Sequence, residues 1–564
     1  MNFNDYKYIR PNFEQIENEI KSLIKKFEDS SSKEEQIEVI DRINEIRNDF
    51  DTMYTLVSIR HSINTNDKFY EEETEFFDEK LPVYEGIIDS YLKVIVKSKF
   101  KDELTLKYGK YLFDKIEVQL KTFKPEIIDD MVVENKLTTK YGKLMASAKI
   151  MFEGETRNLS QMTPFTQSKN RGIREKAQLA VAKFLSDNEN EIDSIYDELV
   201  KVRTKIAKTL GYENYVELGY ARLGRTDYDS KMVANYRKQV YESLVPLSQE
   251  LIERQRVRLG LDNLRYFDLG LKFLSGNATP VGKKDYLVDQ ANSMYSEMSP
   301  ETKEFFEFMT EHNLLDLEAK EGKRGGGYCT FIANYKSPFI FSNFNGTSGD
   351  VDVLTHEAGH AFQVFQSRNI TVPEYVWPTY EACEIHSMSM EFFAWPWMNL
   401  FFGDDELKYK YTHLSDALLF VPYGVTVDEF QHYVYENYEA TPAERKAKWR
   451  EIEKKYLPHK KYEGNDFFER GGFWFKQSHI FTSPFYYIDY TLAQVCAFQY
   501  LIRSQENREE AWDSYLKLCK LGGSKPFLEL VKEAGLDNPF VDGTITKVAT
   551  KVTKILEKIN DKEL

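Results

Sequence analysis

The sequence predicts a mainly α-helical protein with one small β region, on three observations. Apolar residues recur three and four positions apart over most of its 564 residues. Between 323 and 350 the pattern changes to short β-branched and aromatic runs, KRGGGYCTFIANYKSPFIFSNFNGTSGD, set between Gly and Pro. A composition of 42% hydrophobic, 14% aromatic and 29% charged residues is that of a chain with a large core, and it excludes the disordered and collagen-like classes.

From 13 to about 165 the chain reads as helices: IENEIKSLIKKFED, then EEQIEVIDRINEIRNDFDTMYTLVSIRH, then VYEGIIDSYLKVIVKSKF, with turns at 30–33 and 64–68. The acidic run at 71–75 reads as a solvated helix face. A second helical block opens near Ser186 with IYDELVKVRTKIAKTLGY, so we divide the chain into an N-terminal helical lobe, 1–185, and a second region, 186–564. After the β region helices resume, ending in a Lys-rich amphipathic segment, 542–558, expected on the surface. No fixed-period repeat is visible, which argues against a solenoid.

With 75 basic and 91 acidic side chains the net charge is −16, which argues against a nucleic-acid partner, since phosphate binding needs clustered Lys and Arg. The densest apolar run, 392–402, is broken by Pro396 and Asn399 and reads as core, so no membrane association is expected. The opening MNFNDYKYIRPNFEQ lacks the regions of a signal peptide and the closing Asp-Lys-Glu-Leu carries no address without one, so a cytoplasmic location is expected. Four widely spaced cysteines, Cys329, Cys383, Cys496 and Cys519, suggest neither a disulfide framework nor a thiolate metal site.

Directly after the β region stands GDVDVLTHEAGHAFQVFQ, with HExxH at 356–360. Val351, Leu354, Ala358, Ala361, Phe362 and Phe365 mark one apolar face, which places the motif on a helix. Residues four apart on a helix lie about 40° from each other around its axis, so His356 and His360 point the same way, as two ligands of one metal must. Glu357 sits about 100° away, able to reach a metal-bound water without being a ligand. Zinc, one ion per chain, is the expected cofactor.

A catalytic zinc needs a third protein ligand and an open position. The helix YEACEIHSMSMEFFAWPW, closed by Pro396, offers Glu381, Glu384 and Glu391 in otherwise apolar surroundings, where carboxylates need a positive partner. Glu384, 24 residues after His360, suits a ligand set of two His and one Glu, which leaves the site net positive. Glu391 is a candidate for orienting a ligand histidine through its other ring nitrogen, and Asp352 could serve the same purpose. His386 points away from the Glu384 face and reads as structural.

HEAGHAF, EIHSMSMEFF, VPYGVTVDEFQHYVYEN and SHIFTSPFYYIDYTLAQVCAFQ, in that order within 191–540, resemble the oligoendopeptidase F group of the thimet oligopeptidase family of zinc metallopeptidases. The resemblance implies a zincin-like, two-lobed helical body with a deep channel, a small β-sheet beside the zinc helix, and zinc at the channel floor. It implies His356, His360 and Glu384 as ligands, favouring Glu384 over Glu381, with Glu357 as general base. The family's Glu, Ser and second Glu fall on Glu384, Ser387 and Glu391. The histidine and tyrosines that face the zinc in the wider family match His479, Tyr487 and Tyr490. The family's glycine-rich turn and its tyrosine near that histidine are missing here, where IFTSPF follows His479, so no substrate contact is carried to Phe481 or Pro484.

The function this implies is hydrolysis of internal bonds of oligopeptides by Glu357-assisted attack of zinc-bound water, with oligopeptides as the only partners implied and the oligomeric state undetermined. An edge strand within 328–341 would hold extended substrate through main-chain hydrogen bonds. A metallocarboxypeptidase or dipeptidyl carboxypeptidase is the alternative within the enzyme class. A peptide-binding protein with structural zinc is the alternative outside it, disfavoured by the acid inside HExxH.

Overall fold

The computed structural model describes residues 1–320 and 322–564. Its first turns fall where the sequence puts them. The Asn12 side chain accepts from the Gln15 amide and opens helix Phe13–Asp29, and Ser32 and Asp67 open Lys33–Ile63 and Lys68–Val96 in the same way. Each cap satisfies an amide that the first helical turn leaves without a partner.

Two expectations need correction here. The third helix begins at Lys68 and runs through Pro82, because Phe77, Tyr84 and Ile87 are buried on both sides of the proline and outweigh its lost hydrogen bond. The acidic run 71–75 is not uniformly solvated: Glu73 is buried, its carboxylate taking the Arg10 guanidinium at 2.9 and 3.0 Å from Nε and the Tyr8 hydroxyl. The helices up to Gln119 share a core of their own, including Ile43, Phe50, Tyr91 and Ile116, which Val372 and Tyr375 join from far along the chain. Arg47 Nη2 on Glu374 at 2.6 Å and the Tyr375 hydroxyl on the Tyr108 carbonyl at 2.8 Å fasten this core to the rest.

The expectation of a single β region is also corrected. A hairpin, β1 (Ile150–Phe152) and β2 (Glu155–Arg157), turns through Glu153 and Gly154, both with positive φ. A further strand, β3 (Leu315–Glu318), precedes the expected β4 (Tyr328–Ile332) and β5 (Ser337–Phe344). Strands of three or four residues are too short to show alternation against a helical background. The main sheet has the order β3-β5-β4, with β3 parallel and β4 antiparallel to β5, Tyr328 facing Phe341. β5 is buried in the middle, and β4 lies at the edge, pairing only with β5 among the described strands.

Helix Gly349–Ser367, which carries HExxH, packs on β5 and on helix Tyr380–Phe393. Its six expected apolar residues are all buried, the larger ones worth about 1.5–3 kcal/mol each. Helix Tyr487–Glu506 is buried nearly all round and lies between Tyr380–Phe393 and Glu406–Glu436, so the site stands on helices enclosed in the core. The C-terminal helix Thr544–Leu556 is amphipathic as expected, burying Ile545, Val548, Val552 and Leu556. Among the described residues no helix is long and apolar enough to cross a membrane.

Candidate active site

One turn apart on their helix, His356 and His360 present their Nε2 atoms to Glu384 Oε2 of the neighbouring helix, at 3.2 and 3.4 Å. Two bonds of 2.0–2.1 Å from a tetrahedral zinc place their ligand atoms about 3.3 Å apart, so these separations are the edges of a zinc tetrahedron. Among the described residues, His356, His360 and Glu384 are the one cluster of at least three His, Cys or acidic side chains arranged to hold a metal ion. The helices come this close because position 359 is glycine: a Cβ there would lie 2.6 Å from the His386 carbonyl oxygen and from the Ser387 Cα. The Gly of HEAGH is thus a packing residue, and the Ser387 hydroxyl, on Glu384 Oε2 at 2.8 Å, steadies the carboxylate.

Behind the first histidine runs a relay. Glu391 Oε1 meets His356 Nδ1 at 2.6 Å, and Glu391 Oε2 meets His413 Nε2 at 2.6 Å. Trp395 donates its indole N–H to His413 Nδ1 at 3.0 Å. Indole nitrogen only donates, so His413 Nδ1 is the acceptor, Nε2 carries the proton toward Glu391, and Glu391 takes the Nδ1–H of His356, leaving that ring's Nε2 lone pair free for a metal. Burial alone would lower His356. The hydrogen bonds and charges of Glu384 and Glu391 outweigh it and hold His356 well above its ordinary value, while the same histidines hold Glu384 well below its own against the effect of burial. Asp352 does not reach a ligand histidine; it accepts the Tyr409 hydroxyl at 2.6 Å, and burial pushes it up to about 6. His386 is fully buried beside Tyr515, and burial pushes it down to about 3, a neutral core ring.

Glu357 lies beside the start of β4: a Cβ on Gly327 would stand 3.5 Å from its Oε1. Its Oε2 is buried with no hydrogen-bond partner among the described residues. Burial raises its pKa despite the attraction of His356 and His360. A buried carboxylate with a raised pKa and a free oxygen can accept a proton more readily than an exposed one.

The third wall comes from 477–490. Tyr486 donates to Glu384 Oε1 at 2.5 Å, its ring 4.8 Å from that of Tyr490. His479 Nε2 lies 3.3 Å from the Tyr490 hydroxyl, and Tyr487 packs its ring 5.0 Å from that of His479 without a hydrogen bond from its own hydroxyl to any described residue. Tyr423 donates to Gln477 Oε1 at 2.7 Å, which turns the Gln477 amide nitrogen to His479 Nδ1 at 2.8 Å. His479 is therefore the Nε2–H tautomer, and burial pushes it down to about 4, so it is a neutral donor at physiological pH. In place of a glycine turn, Phe485 adopts a φ of 66°, a left-handed geometry costing on the order of 1 kcal/mol or more. Gln431 Oε1 on its N–H at 3.0 Å and Arg225 Nη2 on its carbonyl at 2.6 Å hold it there. Arg225 also pairs with the buried Asp489 at 2.6 Å, tying the turn to the helix that follows.

This geometry has counterparts among known proteins. The model of Peptidase family M3 matches residues 164–550, and that of the Peptidase M3 N-terminal domain matches 3–123. The chain belongs to peptidase family M3. Within that family it is similar to Pz peptidase A, solved with an inhibitor: 56% identity over 99% of this chain and 100% of that one, with a TM-score of 0.98. A crystal structure of a Bacillus anthracis str. Ames protein gives 56% identity over 100% of this chain and 99% of that one, with a TM-score of 0.94. An oligoendopeptidase F homolog of Borreliella burgdorferi is 25% identical over 396 residues, 69% of this chain and 65% of that protein, so the chain spans about two thirds of that curated relative. The mainly helical M3 fold with its small sheets is the class the sequence predicts.

Sequence reasoning missed His413, Tyr486, Gln477 and Tyr423. A lone histidine 22 residues after Glu391 carries no motif. Tyr486 sits just before the helix that starts at Tyr487, so its direction is set by the Phe485 turn and not by helical periodicity.

Proposed function

We propose that this family M3 member is a zinc-dependent oligoendopeptidase that hydrolyses internal bonds of short peptides. The reading rests on one convergence: His356, His360 and Glu384 present three ligand atoms to one point, beside the unpartnered oxygen of Glu357 and the donors of 479–490. When bound, zinc supplies Lewis acidity toward a peptide carbonyl and toward the attacking water. Glu357 accepts the proton of that water and carries it to the leaving amine. His479, Tyr490 and Tyr487 donate toward the carbonyl oxygen, and such bonds strengthen as negative charge develops there, while Tyr486, whose one O–H is on Glu384 Oε1, orients that carboxylate.

The remaining parts supply positioning. The edge of β4, which begins beside Glu357, offers main-chain groups to an extended peptide. The N-terminal lobe, 1–185, walls a channel over the site and limits access to short, flexible chains.

The deciding experiment compares a peptide blocked at both ends with the same peptide carrying a free C-terminus, with products read by mass spectrometry. Internal cleavage, lost on chelation and restored by zinc, is expected. Removal of residues only from a free C-terminus would replace this reading with a carboxypeptidase one, and cleavage that survived complete zinc removal would end both.

A further inference from the structure

Two cations stand on the wall that carries His479, and the chemistry described so far uses neither. Lys476 directly precedes Gln477, the residue that fixes the His479 tautomer. Its side chain reaches solvent, yet its ammonium rests 4.0 Å from the centre of the Phe473 ring. Lys460 rests 3.8 Å from the centre of that same ring and 4.9 Å from that of Tyr423, the donor to Gln477. The two ammonium groups are therefore less than ~8 Å apart, close enough to repel.

Their counter-charge is incomplete. Lys460 has Glu453 at 3.8 Å, but that carboxylate also takes the Tyr462 hydroxyl at 2.7 Å and Arg450 at 3.2 Å. Lys476 has no carboxylate within ion-pair distance among the described residues. Burial, then the neighbouring Lys460, pushes Lys476 down to about 7, and burial pushes Lys460 down to about 8 even with Glu453 beside it. In a chain with 91 acidic residues and a net charge of −16, a lysine that reaches solvent without an acidic partner, set beside a second and largely enclosed ammonium, is a site that an outside anion completes.

We propose that Lys476, backed by Lys460, is a carboxylate subsite: it holds the C-terminal carboxylate or an acidic side chain of a peptide lying along the Phe473–Tyr423–His479 wall. The proposal rests on the peptidase reading and adds to it a preference for anionic peptides. An ammonium–carboxylate bond at Lys476 also relieves the repulsion between the two lysines that share the Phe473 ring.

The test uses four peptides of one parent sequence: C-terminal carboxylate or amide, and Glu or Gln at an internal position away from the scissile bond. For the unaltered protein, kcat/KM is expected to fall about tenfold when the recognised anion is removed, and the two pairs tell which source of carboxylate it is. In Lys476→Met that ratio should collapse to about unity while the wholly neutral peptide is cleaved as before, and Lys476→Arg should keep the ratio. A Lys476→Met variant that retained the preference, or lost all four peptides equally, would overturn the proposal, as would an unaltered protein indifferent to both anions. If no peptide were cleaved, the peptidase reading would fall separately. Calorimetric binding of the same four peptides would then decide the subsite, tighter binding of an anionic peptide supporting it and equal binding ending it.

Discussion

Glu391 Oε1 receives the Nδ1–H of His356 at 2.6 Å, so the free Nε2 of the first HExxH histidine is set by a residue 35 positions away on the next helix. The same carboxylate receives His413 through its other oxygen, and both bonds need a full carboxylate. Glu391→Ala should therefore weaken zinc affinity by about 10–100-fold, read by chelator competition, with activity per bound zinc less affected. Unchanged zinc affinity would show that the relay is only packing.

Glu357 and Glu384 should separate cleanly. Glu357→Gln keeps the shape and the zinc but removes the base, so kcat should fall by at least about 10²–10⁴-fold while metal analysis still gives one zinc per chain. Glu384→Ala should lose zinc as well as turnover, since it removes one of three ligand atoms. Near-normal cleavage by Glu357→Gln would sink the mechanism.

For the donor wall, Tyr490→Phe is expected to lower kcat about 10²-fold with KM changed less than about threefold, because such donors act chiefly on developing charge. Tyr487, whose hydroxyl has no partner among the described residues, should respond in the same direction when changed to Phe. A change confined to KM would assign these rings to ground-state binding.

Gln477 acts through His479. Gln477→Glu offers Nδ1 an acceptor in place of a donor, which moves the proton to Nδ1 and leaves Nε2 unable to donate. Nitrogen chemical shifts of His479 should report the tautomer change, and kcat should fall about tenfold or more; Tyr423→Phe should produce a weaker version of both. An unaltered tautomer in Gln477→Glu would remove Gln477 from the mechanism.

Acid stability depends on Glu134. Arg203 Nε and Arg222 Nη1 hold its two oxygens at 2.6 and 2.9 Å, and although burial opposes it, their charges lower its pKa from the usual 4.5 to about 2. A carboxylate depressed on folding adds stability that is complete above its unfolded pKa and lost as the pH falls from there to the folded one, here between about 4.5 and 2. Glu134→Gln should thus cost about 3 kcal/mol at pH 7, where it strands the buried guanidinium of Arg203 and the half-buried one of Arg222, and much less near pH 2. Denaturant midpoints at the two pH values check this. Arg203 also holds the Phe481 carbonyl at 2.6 Å, so the variant should loosen the turn after His479.

The sequence alone determined the helical class, the turns at 30–33 and 64–68, and the placement of His356 and His360 on one face. These follow from local rules: the turn preference of short polar residues, and a 3.6-residue period that fixes the direction of side chains four apart. It narrowed the candidate third ligand to three glutamates on one helix, and resemblance pointed to Glu384. Only the tertiary structure decided how those glutamates divide the work, with Glu384 meeting both histidines, Glu391 behind His356, and Glu381 beside the buried Thr379 hydroxyl. It likewise brought in His413, Gln477 and Tyr423, put Tyr486 on Glu384 through the left-handed turn at Phe485, and left Lys476 beside Lys460. Such relations join residues far apart in the chain or turn on a single backbone angle. Periodicity carries no record of either, because they are fixed by how buried helices pack and by which polar groups must then find partners.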